Sequence, residues 1–201
     1  MVEKDRGSSE KIANELRAQI LSGDLLPGSR ILQEQLAVEF GASRLPVRDA
    51  LRRLQADGLV TIVVNTGAWV SKLNKTECEE AYLIREKLEP LLGRRSAEQM
   101  HPDTIVELQK LLEQMESCDD VAQFLRLDRE FHLLSYSHGP AGMIKDLVER
   151  LWNTTQHYRP EFVKLSGPDK DSFTHLEHRF MLHTLVSVAL DSLAAIPWSR
   201  I

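Results

Sequence analysis

The sequence predicts a mainly α-helical protein with an N-terminal winged helix-turn-helix and a C-terminal antiparallel α-helical bundle. Three observations predict this fold class. Apolar residues recur at helical spacing along most of the chain. The pronounced β-branched run, residues 59–64, follows three short helical segments separated by glycine-containing turns. Beyond residue 75 no strand pattern competes with the helical one, so we place the two domains at residues 1–74 and 75–201.

The charge of the chain is divided unevenly between these two parts. The 201 residues have a net charge of −5, made up of +2 over residues 1–75 and −7 over residues 76–201. Within the N-terminal part, residues 43–53 hold four arginines and one aspartate. Because affinity for phosphates depends on the local field, the acidic total does not exclude nucleic-acid binding.

The chain lacks the sequence features of a membrane or secreted protein. No run approaches eighteen consecutive apolar residues, and the polar first ten residues contain no signal-peptide core. Cys78 and Cys118 lie far apart, without CxxC or zinc-ribbon spacing, which favours free thiols in a reducing compartment. We therefore expect a cytoplasmic protein with no membrane association.

Three short helices are predicted in the first domain. Apolar residues spaced by four define the first helix, residues 10–21. The second helix, residues 32–40, ends at a glycine, and the third follows after a short turn over residues 44–56. Two short helices joined by a tight glycine-containing turn are typical of a helix-turn-helix.

The third predicted helix has two adjacent stripes. One stripe is apolar and is expected to pack inward: Val47, Ala50, Leu51 and Leu54. The other consists of Arg44, Arg48 and Arg52, which drift only about 80° around the axis. Such arginines often form an ordinary solvated face. Their position in the second helix of a helix-turn-helix favours contacts with phosphate or guanine instead.

A β-hairpin is predicted directly after the third helix. Residues 59–64 form its first strand, Asn65-Thr66-Gly67 its turn and residues 68–71 its second strand. A hairpin in this position is a wing, and Asn65 at its tip is a candidate minor-groove contact.

This N-terminal part resembles the GntR family of bacterial regulators. The resemblance is carried by Gly23 to Gly28, by Leu36-Ala37, by the segment SRLPVRDAL at residues 43–51, and by Gly58-Leu59-Val60. It implies that DNA is contacted by Ser43, Arg44, Pro46 and Arg48, with Gly67 at the wing tip. The chain departs from the family pattern at Leu45, where threonine is common, and at Glu34, where some relatives carry a basic residue.

The second domain is predicted to be helical throughout. A helix over residues 76–96 contains Pro90, which we expect to kink it. The further helices are predicted over residues 104–115, 121–137, 141–158 and 172–195, with a loop at 165–171. Short connections between these helices indicate an antiparallel bundle.

Three polar side chains share the apolar side of these helices. Asp128 and His132 are one turn apart among phenylalanine and leucine residues, and His178 lies on the apolar stripe of the last helix. A hydrogen-bonded core histidine and an intrahelical Asp–His bond are the ordinary explanations. Inward-facing aspartate and histidine also suit a first-row divalent metal such as Zn²⁺.

The helical part resembles the FCD effector domain found in many GntR regulators. That resemblance implies a metal bound by Asp128, His132 and His178, with Zn²⁺ favoured and Ni²⁺ or Mn²⁺ as alternatives. The fourth ligand of the family pattern falls near Arg200, which is not a metal ligand. By helical angle, His175 is placed to substitute for the missing ligand.

The same resemblance implies a small effector, often a carboxylate. Arg85 is its candidate anion partner, because it shares an inward stripe with Leu88 and Leu92 and matches an arginine of the family pattern. An i, i+4 ion pair with Glu89 is the competing interpretation.

These features indicate a ligand-responsive transcription regulator, most simply a repressor that binds a two-fold DNA operator as a homodimer. One alternative is a sensor of the metal ion itself. Another is a regulator whose metal site is vestigial. A metal-dependent enzyme is a poor fit, because the chain has no HExxH, GxSxG or P-loop motif.

Overall fold

The computed structural model describes residues 2–160 and 173–194. The chain forms two compact units. The first holds the residues up to Tyr82 together with Glu149–His157, and the second holds Leu83–Val148 together with the residues from Tyr158 onward. The predicted boundary at residues 74/75 remains a prediction. The predicted loop at 165–171 and the position of Arg200 lie outside the described residues.

The first unit contains the three predicted N-terminal helices. They are α1 (Val2–Ser22), α2 (Gln33–Glu39) and α3 (Arg44–Ala56). α1 begins eight residues before the predicted start, since the polar residues ahead of its apolar stripe continue the helix. Gly41 separates α2 from α3 in a left-handed conformation, with φ +56°, which a side chain would strain. The helix-turn-helix is thus present as predicted.

The sheet has one more strand than predicted. The expected wing is formed by β2 (Val60–Val63) and β3 (Gly67–Val70), which pair antiparallel with Thr61 opposite Trp69. The additional strand is β1 (Arg30–Ile31), which pairs with the other edge of β3 and gives the order β1-β3-β2. Two residues are too few to show a strand period, so this strand was not visible in the sequence.

The core of the first unit confirms the predicted stripes. Ile12, Leu16 and Ile20 of α1 are buried. They belong to one apolar cluster with the inward residues of α3, which are Val47, Ala50, Leu51 and Leu54. Because the whole inward stripe of α3 is used for packing, its arginine side is left at the surface.

The second unit is helical. Its elements are α4 (Lys75–Ala97), which begins in the first unit, α5 (Pro102–Glu116), α6 (Val121–Ser135), the first part of α7 (Met143–Thr155), and α8 (Phe173–Ala194). The end of α7 is followed by a 3₁₀ turn, Gln156–Tyr158, and residues 159–160 are again helical. No helix in the described ranges is long and apolar enough to cross a membrane.

Side-chain caps fix the starts of two helices in this second unit. The His101 side chain accepts a hydrogen bond from the Asp103 amide before α5, and Asp120 accepts one from the Gln123 amide before α6. The core between α5, α6 and α8 is built mainly from leucine, phenylalanine and methionine. Its residues include Leu108, Met115, Phe124, Phe131 and Leu185. This packing places the inward side of α6 against α8.

Candidate functional site

The arginine side of α3 is exposed, as its spacing predicted. Arg44, Arg48 and Arg52 all lie at the surface. Ser43 is the N-cap residue of α3, and its hydroxyl makes no capping hydrogen bond within the described part of the chain. A cationic side chain and free amide groups therefore meet at the start of the helix, which is an arrangement that favours phosphate.

The wing tip lies beside this helix. Arg48, Arg52, Asn65 and Gly67 line one surface groove of about 490 Å³ within the first unit. Asn65 adopts a left-handed conformation, with φ 59°, which is tolerated by asparagine better than by most residues. The structure thus brings together residues that the sequence placed on two separate elements.

Pro46 differs from the other predicted DNA contacts of α3 because it is buried. It occupies the first turn of α3, where a missing amide hydrogen costs little, and its side chain is buried with Val47. The contact of Pro46 with DNA therefore stays a prediction. In the free protein Pro46 contributes to the packing of the helix start.

Two residues that the sequence analysis did not assign to the DNA surface also organise it. Glu34 of α2 forms an ion pair with Arg44, with 2.6 Å between the carboxylate oxygen and guanidinium nitrogen, and both side chains are largely exposed. Arg30 lies over the Trp69 ring, 5.9 Å from its centroid, and donates to the Thr66 carbonyl in the wing turn. The Arg30 contacts tie β1 to the turn of the wing.

The second unit brings Asp128, His132 and His178 together. The His178 Nε2 atom lies 3.1 Å from Asp128 Oδ1 and 3.2 Å from His132 Nε2. The separation between His132 Nε2 and Asp128 Oδ1 is 3.9 Å. Asp128 and His178 are buried, and His132 is half-buried.

This arrangement has the dimensions of a metal site. Ligand atoms around a tetrahedral Zn²⁺, with bonds of roughly 2.0–2.1 Å, lie about 3.3 Å apart. The three donor atoms of the cluster all lie within 4.8 Å of one another. One carboxylate and two imidazoles also form a donor set that first-row divalent ions accept. The residues present therefore fit the metal that the sequence suggested.

His175 does not join the three donors, although its helical angle suggested that it might. Its side chain is buried, and its ring meets the edge of the Phe124 ring, with centroids 5.6 Å apart. Among the described residues, the convergent group consists of Asp128, His132 and His178. The angle around the helix axis was not sufficient to predict a fourth ligand, because His175 and His178 also lie nearly one turn apart along the axis.

Arg159 is a partner of Asp128 that no sequence pattern indicated. Its Nη1 atom lies 2.6 Å from Asp128 Oδ2, and both side chains are largely or fully buried. The two carboxylate oxygens of Asp128 therefore have different partners: Oδ2 faces Arg159, and Oδ1 faces the histidines. Arg159 follows the 3₁₀ turn after α7 and lies just beyond the helix predicted over residues 141–158, so no helical periodicity marked it.

The electrostatics of the cluster follow from its burial and its charges. Burial opposes ionisation of Asp128, but Arg159 and His178 outweigh it and hold the pKa of Asp128 well below its usual range. Burial lowers the pKa of His132 to about 3, and the nearby Arg159 and His178 act in the same direction. At neutral pH, Asp128 is thus an anion and His132 is a neutral imidazole, which are the protonation states that bind metals.

His132 is also connected to Arg85 through two further residues. The Tyr136 hydroxyl lies 3.2 Å from His132 Nδ1 and donates to Glu89 Oε2 at 2.9 Å. Glu89 in turn forms an ion pair with Arg85, which is the competing interpretation offered for that arginine. Arg85 and His132 nevertheless line the same cavity of about 860 Å³ in the second unit. Arg85 therefore faces this cavity while it is paired with Glu89.

Comparisons with known proteins agree with both parts of the structure. Residues 8–70 match the bacterial regulatory proteins of the gntR family, and residues 80–195 match the FCD domain. The HTH-type transcriptional regulator McbR of Escherichia coli is 30% identical over 145 residues, which span 71% of this chain and 66% of McbR. The match thus covers just under two thirds of McbR.

Two other relatives and one solved structure support the same assignment. The HTH-type transcriptional regulator YdhC of Bacillus subtilis is 32% identical over 75% of this chain and 73% of its own length. The gluconate operon transcriptional repressor of Bacillus licheniformis is 30% identical over 78% of this chain and 63% of its own length. The structure of E. coli McbR superposes with a TM-score of 0.73 at 25% identity, covering 93% of this chain and 92% of McbR.

These relatives are transcription regulators and not enzymes, in agreement with the absence of catalytic motifs from the sequence. A winged helix-turn-helix with an exposed arginine face, followed by a helical FCD domain, accounts for the whole described chain. The protein is a DNA-binding transcription regulator that belongs to the GntR family and carries an FCD domain.

Proposed function

We propose that this regulator responds to a small carboxylate effector, which binds in the helical domain beside a divalent metal ion held by Asp128, His132 and His178. Zn²⁺ suits the one-carboxylate, two-imidazole donor set best, and Ni²⁺ or Mn²⁺ are the alternatives. The observation that carries the proposal is the convergence of three metal-ligating atoms within 4.8 Å in a buried part of the domain.

The charges around the site explain why an anion would depend on the metal. Arg159 is paired with Asp128, and Arg85 is paired with Glu89. The pKa of His132 is lowered to about 3, so its imidazole carries no charge at neutral pH. The residues by themselves offer a carboxylate little net attraction. A bound divalent ion would supply the uncompensated positive charge and an open coordination position.

His132 connects such a site to the effector cavity. Its ring lies beside His178 on one side and lines the cavity of about 860 Å³ on the other. Tyr136, which also lines the cavity, lies within hydrogen-bond distance of His132 Nδ1. Tyr136 thereby orients the imidazole, as outer-shell partners of metal-ligating histidines do.

On the DNA side, we propose that the protein acts as a homodimeric repressor on a two-fold operator. Ser43, Arg44, Arg48 and Arg52 would read the major groove, and Asn65 and Gly67 would approach the minor groove from the wing. A single α3 presents one exposed arginine face, and two half-sites require two such helices. One of the relatives is itself named a repressor.

The test of the metal site is elemental analysis of purified protein, comparing wild type with His132→Ala and His183→Ala. His183 is on α8 and is exposed, so its variant controls for the loss of any histidine from the domain. We expect about one Zn, Ni or Mn per chain in wild type and His183→Ala, and none in His132→Ala. Equal metal content in all three proteins, or none in any of them, would refute the assignment of the site.

A metal-ion sensor is the second candidate function. It is favoured by the ion pair between Arg159 and Asp128, because a cation beside a ligating carboxylate weakens metal binding and makes it more readily reversible. Fluorescence anisotropy of an operator fragment distinguishes the two functions. A sensor would change its DNA affinity when Zn²⁺ is added alone, whereas an effector-dependent regulator requires the carboxylate as well.

A further inference from the structure

We infer that Glu34 and Arg44 together read one base pair of the operator, and that this pair is G·C, with guanine facing Arg44 and cytosine facing Glu34. This inference rests on the proposed function, which places the arginine face of α3 in the major groove. It is carried by the ion pair that joins α2 to the start of α3 and by the surface groove in which that pair lies.

The ion pair lies on the same surface of the first unit as the wing tip. Glu34 Oε1 is 2.6 Å from Arg44 Nη2, and the two side chains are 78% and 79% exposed. They line a groove of about 520 Å³ with the other residues of the segment 30–35 and with Gly67. Gly67 also lines the neighbouring groove with Arg48. The Glu34 carboxylate is therefore part of the surface that we expect to face DNA.

A carboxylate on such a surface requires a hydrogen-bond donor on the DNA. The phosphates repel it, and the donors that the major groove offers are the N4 amino group of cytosine and the N6 amino group of adenine. Because Glu34 compensates the charge of Arg44, the pair has little net attraction to phosphates. We therefore expect the pair to contribute base selectivity more than general affinity for DNA.

The order of donors and acceptors in the pair distinguishes G·C from A·T. Each Nη atom of a guanidinium has two N–H groups, so Arg44 can still donate from Nη1 and Nη2 while Nη2 also donates to Glu34. The pair thus presents two donors followed by one acceptor. Across the major groove, G·C presents the acceptors N7 and O6 followed by the N4 donor, whereas A·T presents acceptor, donor and acceptor. The pair matches the G·C order and not the A·T order.

The spacing within the ion pair also fits G·C. Guanine O6 accepts a hydrogen bond from cytosine N4 in the base pair, so these two atoms lie about 2.9 Å apart. The Arg44 and Glu34 atoms that would contact them are 2.6 Å apart. Arginine on guanine and glutamate on cytosine are both contacts that specify a base. Glu34 is thus expected to fix the orientation of Arg44 and to select the base pair.

The test begins with selection of binding sites from a randomised DNA duplex pool by the full-length wild-type protein. Fluorescence anisotropy then measures the affinity for the selected site with each base pair changed in turn. The variants are Glu34→Ala and Arg44→Ala. Glu39→Ala is the matched control, because Glu39 is an exposed glutamate of the same helix that lies outside the groove.

We expect wild type to prefer G·C over A·T at least fivefold at one position of each half-site, which is the lower end of the discrimination given by one specific contact. Glu34→Ala and Arg44→Ala should both lower the preference at that same position at least threefold, and Glu39→Ala should keep it. Glu34→Ala should also make log affinity depend more steeply on log salt concentration, by up to about 1, because the uncompensated Arg44 is then attracted to phosphate.

An equal change in the affinity of Glu34→Ala for every duplex would overturn the inference, because Glu34 would then act on phosphates alone. Effects of the two variants at different positions, or at an A·T pair, would also overturn it. Arg48→Ala separates this result from the proposed function. If Arg48→Ala weakens binding while Glu34→Ala changes no preference, the α3 surface stands and the inference falls. If none of the variants changes binding to the selected site, both fall.

Discussion

Replacing Arg159 with methionine is expected to destabilise the metal-free protein strongly. Methionine keeps most of the aliphatic stem but removes the charge that lies 2.6 Å from Asp128 Oδ2. The Asp128 side chain is only 1% exposed, so water cannot replace the lost partner. The chain also contains a matched ion pair at the same distance, Arg179 with Glu116, whose side chains are 52% and 26% exposed.

The two pairs differ in burial but not in separation, and burial decides the magnitude. At 2.6 Å, two unit charges attract by about 6 kcal/mol at an effective dielectric constant of 20, and by about 2 kcal/mol in bulk water. Desolvation offsets part of the larger value when both partners are present. Removing one partner of a buried pair typically costs roughly 3–5 kcal/mol, whereas an exposed pair contributes about 0–1 kcal/mol.

The assay is urea denaturation of wild type, Arg159→Met and Arg179→Met in a chelating buffer, followed by far-UV circular dichroism. We expect a loss of about 3–5 kcal/mol in the free energy of unfolding for Arg159→Met and less than about 1 kcal/mol for Arg179→Met. Added Zn²⁺ should recover part of the loss in Arg159→Met, because a bound cation compensates Asp128. Equal, small losses in both variants would show that the Asp128 charge has another partner and would refute the reasoning.

Three further predictions concern the first unit. Arg48→Ala should weaken operator binding at least tenfold in fluorescence anisotropy, with Arg53→Ala as the control. If Arg48 contacts a phosphate, the slope of log affinity against log salt concentration should also fall by about 1. Gly58→Ala should lower the free energy of unfolding by about 1–3 kcal/mol in thermal melts, since Gly58 has φ +78° and a Cβ there would lie 2.7 Å from Arg150 Cγ. Asn65→Gly should leave the melting temperature nearly unchanged, and Asn65→Val should lower it, because the backbone of residue 65 is in the left-handed region. Equal melting temperatures for the two variants would count against a rigid wing turn.

Local sequence spacing was sufficient for much of this fold. The recurrence of Ile12, Leu16 and Ile20 predicted α1, and the two stripes of α3 predicted both its packing and its exposed arginines. The same geometry predicted that Asp128 and His132 face inward together. These conclusions depend only on the angle between residues of one helix, which 3.6 residues per turn fixes without reference to the rest of the molecule.

Contacts between elements far apart in the sequence were decided by the tertiary structure. Tyr136 donates to Glu89 across 47 positions, and Arg159 meets Asp128 across a whole helix. No periodic pattern in the sequence predicts such pairs, because each pair depends on how two elements pack together and on which side-chain rotamers that packing allows. Helical angle left His175 as a possible fourth ligand, and only the packing of α6 against α8 showed that it lies apart from the other donors.

The sequence by itself determined the order of the helices, the winged helix-turn-helix, the arginine face of α3 and the family to which the chain belongs. The tertiary structure decided the partners of Asp128, the burial of Pro46, the pairing of β1 and the path of the cavity along α4 and α8. The physical reason is the range of the interactions. Helix periodicity and turn chemistry act over a few neighbouring residues, whereas ion pairs, cavities and metal geometry arise only when distant segments are packed together.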